Sequence, residues 1–265
     1  MDAAAILDKV RTTPPLVHHI TNWVTIYDCA AVTRAFGAFP VMAHAKEEAA
    51  DMTSLAQSLV LNIGTLTAEL IDAMVTAGRR ANEKGIPIVL DAVGAGATPM
   101  RTEAAKKLLK EIHIDIIKGN ASEIAVLAGM SAETRGVESG KVDGDLSAIA
   151  RTLSEERNAV IVITGVRDII AYRKTAYGID NGHALMGRVV GTGCTAASAI
   201  GCFAAVEKDL AAAAASALIC YGIAGERAAV RANAPAAFKI AFHDEIALLT
   251  AQAIRGKERF STGER

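Results

Sequence analysis

The chain has 265 residues and a formal net charge of −1, room for one large α/β domain with a sizeable core and, without a dense basic patch, no surface for nucleic acid. Hydrophobic residues make up 51% of it, yet the longest suspicious run, Ala211 to Gly225, is closed by Glu226 and Arg227 and is too short to cross a membrane; it reads as a buried helix whose alanines also allow close approach of a neighbouring subunit. The four cysteines, Cys29, Cys194, Cys202 and Cys220, lack metal-site or disulfide spacing, which suits a reducing, cytoplasmic compartment, and the acidic start without an apolar run is no signal peptide.

Along the chain, helical patterns alternate with short β-type runs, the mark of a mostly parallel sheet covered by helices. The first residues, near 1–12, are expected to fray. Pro14 to Asn22, with the dipeptide His18-His19, reads as loop and core. Leu59 to Asn62 predicts a strand, Thr67 to Lys84 a helix, and Ile88 to Asp91 a second strand. A helix over Thr102 to Lys110 precedes a third strand, Ile114 to Lys118, and Asn120 to Glu123 fits a capped helix start. Gly129 to Gly144 is polar and glycine-bearing and reads as a surface excursion. Asp145 to Glu156 is helical, Ala159 to Thr164 is the clearest buried strand, and the tight step to Ile169–Tyr172 predicts an antiparallel pair at the sheet edge, making the sheet mixed. Three helices follow, near 193–208, 210–230 and 235–251, before a polar tail, 256–265, that is expected to fray. No internal repeat or linker divides the chain, so a single domain over 1–265 is the economical reading.

Two features carry chemistry. The first is Gly191-Thr192-Gly193-Cys194, between the extended run Arg188–Val190 and a small-residue run. It reads as a glycine turn opening a helix, where backbone N–H groups and the helix dipole hold an anion, with a proton acceptor at Cys194 beside it. A thiol there is expected to have a lowered pKa; the bland alternative is a small buried hydrophobe. Pairing of Cys194 with His183 as a base is discounted, because His183 lies in a polar turn and has no orienting partner. The second feature is a gathering of polar residues at strand ends: Asn62 and Gly64, Asp91, Lys118 and Asn120, and Thr164. Ligands of open α/β sheets bind outside those ends. Asp91 and Glu123 are the acids best placed to organise a divalent cation, the alternative being two helix-capping carboxylates. No P-loop pattern and no G-x-G-x-x-G after the first strand is present.

Several stretches together, HHITNWVT at 18–25, GAFPVMAHAKEE at 37–48, NIGTL at 62–66, LDAVGAGATPMR at 90–101, IKGNASEI at 117–124, VITG at 162–165 and GRVVGTGC at 187–194, closely resemble the hydroxyethylthiazole kinases of the ribokinase-like superfamily. The resemblance implies a ribokinase-like α/β fold and ATP-dependent phosphorylation of the primary hydroxyl of 4-methyl-5-(2-hydroxyethyl)thiazole in thiamine salvage. It also implies a homotrimer with the thiazole at subunit interfaces. Carried over by motif, the thiazole contacts are Asn22, Val24, Met42, Gly64 and Gly191, the nucleotide-side residues are Lys118 and Thr164, and the acids associated with Mg²⁺ are Asp91 and Glu123. Gly191, Gly193 and Cys194 form the catalytic turn, with Cys194 where many ribokinase-like enzymes carry aspartate. Lys118 departs from the arginine of many members, keeping the charge and losing the rigid fork. The competing readings are a hydroxymethylpyrimidine or pyridoxal-like alcohol kinase of the same fold, and a binding protein without turnover.

Overall fold

The computed structural model describes residues 1–130, 134–135, 138–139 and 144–264. Its elements run α1 (Ala3–Thr12), β1 (Leu16–Ile20), α2 (Ile26–Phe36), β2 (Phe39–Val41), α3 (Lys46–Leu55), β3 (Ser58–Asn62), α4 (Ala68–Lys84), β4 (Ile88–Asp91), α5 (Pro99–Glu111), β5 (Ile116–Asn120) and α6 (Ala121–Leu127). The short pair β6 (Thr134–Arg135) and β7 (Glu138–Ser139) follows, then α7 (Leu146–Arg157), β8 (Val160–Thr164), β9 (Asp168–Tyr172) and β10 (Thr175–Ile179). A 3₁₀ turn (Ala184–Arg188) leads to α8 (Thr192–Ala204), α9 (Leu210–Arg231), α10 (Pro235–Ala247), α11 (Ala251–Ile254) and β11 (Phe260–Glu264).

One nine-stranded sheet, in the order β11-β10-β9-β8-β5-β4-β3-β1-β2, organises the chain. The six strands from β2 to β8 pair in parallel, and β9, β10 and β11 continue the sheet antiparallel. The expected antiparallel step after β8 is present, although β9 lies inside the sheet and not at its edge. Alternation assigns the faces. Val60, Val89 and Ile116 point into a core formed with α1, α2, α8, α9 and α10. Leu59, Leu61, Ile88, Leu90 and Ile117 point into a second core under α4, α5 and α7. Burial on both faces explains why the parallel strands read as unbroken apolar runs.

The alternation also positions the site. Asn62, Asp91 and Lys118 follow the parity of Val60, Val89 and Ile116, so they share the face that α8 covers. Register sets them side by side, with Asn62 opposite Asp91 and Asp91 opposite Lys118. The chain order reverses between β1 and β3, the switch point at which open sheets leave a crevice.

The structure corrects several expectations. Both described ends carry secondary structure where none was expected: α1 is capped by Asp2 and buries Ala3, Ala4, Ile6, Leu7 and Val10, while β11 pairs along β10 from Thr175↔Glu264 to Ile179↔Phe260. The stretch around His18-His19 is a buried strand. Each imidazole has a local partner, His18 on Thr53 and the Ala43 carbonyl and His19 on Thr33. Arg188 closes the 3₁₀ turn instead of belonging to an extended run. Helices α8 and α10 end earlier than expected, at Ala204 and Ala247. Most of the expected excursion 129–144 lies outside the described residues.

Candidate active site

The turn before α8 is shaped by glycine. Gly191 is its N-cap in the left-handed region, φ 93°, and a Cβ there would overlap the Thr25 methyl group. Thr192 anchors the turn by donating its hydroxyl to the Met186 carbonyl at 2.9 Å. The backbone N–H groups of 192–194 thus open the helix toward the strand ends. Lys118 lies over the same turn: a Cβ added to Gly193 would stand 3.3 Å from its Nζ.

Lys118 and Asp91 form a buried ion pair, Nζ to Oδ1 2.9 Å, with side chains only 5% and 0% exposed. Burial lifts the Asp91 carboxyl above its ordinary range, against the pull of Lys118, Cys194 and Asn62. Burial works against the Lys118 charge as well, but the carboxylates of Asp91 and Glu123 outweigh it and hold the ammonium protonated well above the ordinary lysine range.

The second Asp91 oxygen accepts from Asn62 Nδ2 at 2.7 Å. Asn62 Oδ1 accepts from Asn22 Nδ2 at 3.0 Å and from the Gly64 N–H at 2.9 Å. Asn22 Nδ2 also reaches Cys194 Sγ at 3.4 Å, and Asn22 Oδ1 accepts from the Thr25 N–H and hydroxyl, each at 3.1 Å. Thr25, Asn22, Asn62, Asp91 and Lys118 therefore form one continuous chain across the crevice, with Cys194 at its centre.

Cys194 corrects the expectation of a lowered thiol pKa. Burial, followed by the nearby Asp91 carboxylate, pushes it up to about 11, against Lys118 and the Asn62 amide. The sulfur is a protonated thiol near neutrality. His183 is equally remote from base duty: its Nδ1 accepts from the Leu185 N–H at 3.2 Å and caps the 3₁₀ turn.

Glu123 completes the capping box that the sequence predicts, its Oε2 accepting from the Asn120 N–H and its Oε1 from the Gly94 N–H, both at 2.7 Å. Burial raises its pKa, and Asp91 adds to the rise. The two acids are thus near enough to feel one another. No cluster of three or more His, Cys, Asp or Glu gathers among the described residues. Magnesium commonly uses one or two carboxylates completed by water and phosphate, and two hard, buried carboxylates near enough to feel one another and Lys118 fit that pattern.

The other expected positions spread around this centre. Asn22 is buried and turned inward on Cys194 and Asn62, Met42 is half-buried, and Val24 stands exposed beside Trp23, which stacks on His44 at 4.8 Å. Thr164, opposite Asn120 in the sheet, donates to the Gly119 carbonyl at 3.4 Å. Two further residues had no individual task in the sequence reading, which gave Asn62 only as one of the polar strand ends. Asn62 is the hub of the amide chain, and its signal was a polar residue ending a fully buried strand. Arg101 donates to the Ile63, Val93 and Gly64 carbonyls at 3.2, 3.1 and 2.7 Å, clamping the loops after β3 and β4.

The chain is similar to several known proteins. A hydroxyethylthiazole kinase from Methanosarcina acetivorans is 53% identical over 254 residues, 96% of this chain and 97% of that one. The solved structure of a hydroxyethylthiazole kinase from Pyrococcus horikoshii OT3 superposes with a TM-score of 0.90 at 37% identity, covering 99% of both chains. A ribokinase-like superfamily protein from Enterococcus faecalis shares the fold at a TM-score of 0.64 and 14% identity, covering 94% of this chain and 95% of that one. Residues 7–252 match the profile of the hydroxyethylthiazole kinase family, and with the sheet order, the glycine turn and the strand-end acids all in place, the chain belongs to that family.

Proposed function

We propose that the protein transfers the γ-phosphoryl group of ATP to the primary hydroxyl of 4-methyl-5-(2-hydroxyethyl)thiazole, giving the thiazole phosphate and ADP in thiamine salvage. The observation that carries this reading is the buried Lys118–Asp91 pair against the opening turn of α8, in a chain of this family. Phosphoryl transfer asks a protein mainly for alignment and for dipoles and charges where negative charge accumulates. The N–H groups after Gly191 and the Lys118 ammonium supply both, and Gly193 lets the phosphoryl group approach the helix closely. Thr164 lies on the nucleotide side with Lys118. Asp91 and Glu123 would hold Mg²⁺, which would supply neutralisation of the phosphate charge.

The thiazole lies against Asn22, Val24, Met42, Gly64 and Gly191, its hydroxyl directed at Cys194. A thiol near pH 7 does not take the proton from that hydroxyl at rest. Cys194 instead shapes the acceptor site, and the hydroxyl proton passes late to an oxygen of the transferred phosphoryl group as ADP departs, as a loose transition state permits. The reading includes a homotrimer in the cytoplasm. Val24, Tyr27 and Val190 are exposed apolar residues near the crevice, suited to a neighbouring subunit, and all four cysteines are free. Light scattering giving a monomer at micromolar concentration counts against the trimer.

The test is thiazole-dependent ADP release with ATP and Mg²⁺, with hydroxymethylpyrimidine and no acceptor as controls and the product identified by mass. Thiazole phosphate is the expected product. Turnover of the pyrimidine alone refutes the acceptor assignment, and no turnover in folded protein refutes the kinase reading.

A further inference from the structure

Asn62 uses its whole amide. It is 1% exposed at the end of β3, and its orientation is forced. The Gly64 N–H can only donate, so the atom facing it at 2.9 Å must be Oδ1, and Nδ2 must face Asp91 Oδ2 at 2.7 Å. The same logic fixes Asn22, whose Oδ1 faces the Thr25 N–H. Its Nδ2 must therefore point at Asn62 Oδ1 and Cys194 Sγ. Two backbone N–H groups, one after β3 and one at the start of α2, thereby set the direction of every hydrogen bond that the two amides make.

We propose that Asn62 is a positioning residue with two separable duties: its Nδ2 aims the Asp91 carboxylate at Lys118 and the turn of α8, and its Oδ1 holds Gly64 and Asn22 in place as the acceptor wall. The inference rests on the kinase reading above, since the duties are told apart by substrate. Register makes the first duty possible, because Asn62 and Asp91 are directly opposed on adjacent strands. A purely structural asparagine capping a strand end would stabilise both loops without distinguishing them. An alanine-like hole would release both together.

Two variants separate the duties. Asn62→Asp keeps an oxygen toward Gly64 and Asn22 and sets a second carboxylate oxygen against Asp91. Asn62→Ser removes the shared acceptor and adds no charge. With purified full-length protein and a fixed saturating ATP concentration, Asn62→Asp is expected to lose about ten-fold or more in kcat while the thiazole KM stays within about two-fold. Asn62→Ser is expected to raise the thiazole KM by about five-fold or more as well as lowering kcat. Thermal melts run in parallel show how much of each protein is folded. Either folded variant with wild-type kcat overturns the proposal, and so does an equal change of kcat and KM in both. Should Asn62→Asp not accumulate as folded protein, Asn62→Ser decides alone: an unchanged thiazole KM rejects the positioning role. Wild-type protein assayed alongside keeps the two readings apart, because failure of wild type to make thiazole phosphate strikes the kinase assignment, whereas active wild type with indifferent variants strikes only the role of Asn62.

Discussion

The two ends of the central strands differ in how they use space and charge. At the N-terminal ends of β3, β4 and β5 lies a cavity of about 740 Å³, lined by residues that include Lys84, Pro87, His113, Asp115, Glu207 and Leu210. Its charges are satisfied locally. Asp115 accepts from the Ile88 N–H at 2.8 Å and lies 3.6 Å from His113, and Lys84 donates to the Ala56 carbonyl at 2.5 Å. The C-terminal ends instead carry an ion pair taken fully out of water and a chain of amides with forced directions. Volume marks a place where helices and turns fail to meet. Charge buried at a desolvation penalty of several kcal/mol marks a place where the fold gives up stability for chemistry. We therefore assign the site to the second end, although a cavity opens at the first.

The sharpest way to break this contrast is to remove one charge from each end. Lys118→Met leaves Asp91 buried and unpaired, which is expected to cost about 3–5 kcal/mol of stability. Loss of a cation at the transferring phosphate is expected to lower kcat by about 10²-fold or more. Chemical denaturation and steady-state ADP release measure the two effects. A Lys118→Met protein as stable and active as wild type would mean that the buried pair is idle and the site lies elsewhere.

The contrast can be sharpened along β1, which runs from one end to the other. His19 is fully buried there, with Nε2 on Thr33 at 3.1 Å and no partner at Nδ1. Burial, aided by His18 and His44, lowers its pKa to about 3. A histidine whose folded pKa is depressed binds its proton more readily when unfolded, so its contribution is intact above the unfolded value of about 6.5 and is lost as pH falls toward 3. His18 shifts the same way. His19 is expected to contribute to the unfolding free energy a fall between pH 6 and 4 with a slope approaching about 1.4 kcal/mol per pH unit. The slope is expected to flatten by about one proton in His19→Gln. An unchanged slope in that variant would show His19 charged in the folded chain.

The sequence disclosed these differences unevenly. Strand β4 was legible because an apolar run stops at a single acid, and the capping box at Asn120–Glu123 because its spacing is local. The gathering of Asn62, Asp91 and Lys118 at strand ends was legible too, but not which of them bond to which, since that depends on strand order and register, which no local pattern carries. The Cys194 thiol was misread for a related reason. A helix start is visible in four residues, but the burial and the Asp91 carboxylate that outweigh the dipole come from elsewhere in the chain. The tail was read as frayed because β11 has one large apolar residue, Phe260, and owes its place to backbone pairing with β10. Helix α1 was missed despite buried residues at helical spacing because alanine carries so little apolar signal.

A smaller effect separates aligning from proton transfer within the site. With the thiol held up to about 11, kcat is expected to show no rise traceable to Cys194 between about pH 7 and 9. Cys194→Ala is expected to lose less than about ten-fold in kcat, with the shape of the profile kept. A wild-type rate climbing about ten-fold per pH unit, and flat in Cys194→Ala, would make the thiolate the base.

The smallest effect belongs to the open cavity. Lys84 borders it and donates to the Ala56 carbonyl where β3 begins, a contact between neighbouring loops with no buried charge behind it. Its pKa is lowered by burial and by Arg80, so its environment gives the ammonium no net support and the side chain serves as a strap. Lys84→Met keeps the stem that packs along the loop and gives up only the hydrogen bond, worth about 1 kcal/mol. Thermal melting is expected to shift by a few degrees at most, with kcat and both KM values unchanged. A change in the thiazole KM of that variant would couple the two ends through β3, since Ser58 at its start and Asn62 at its end belong to one five-residue strand, and the cavity at the N-terminal end would then have a part in the chemistry.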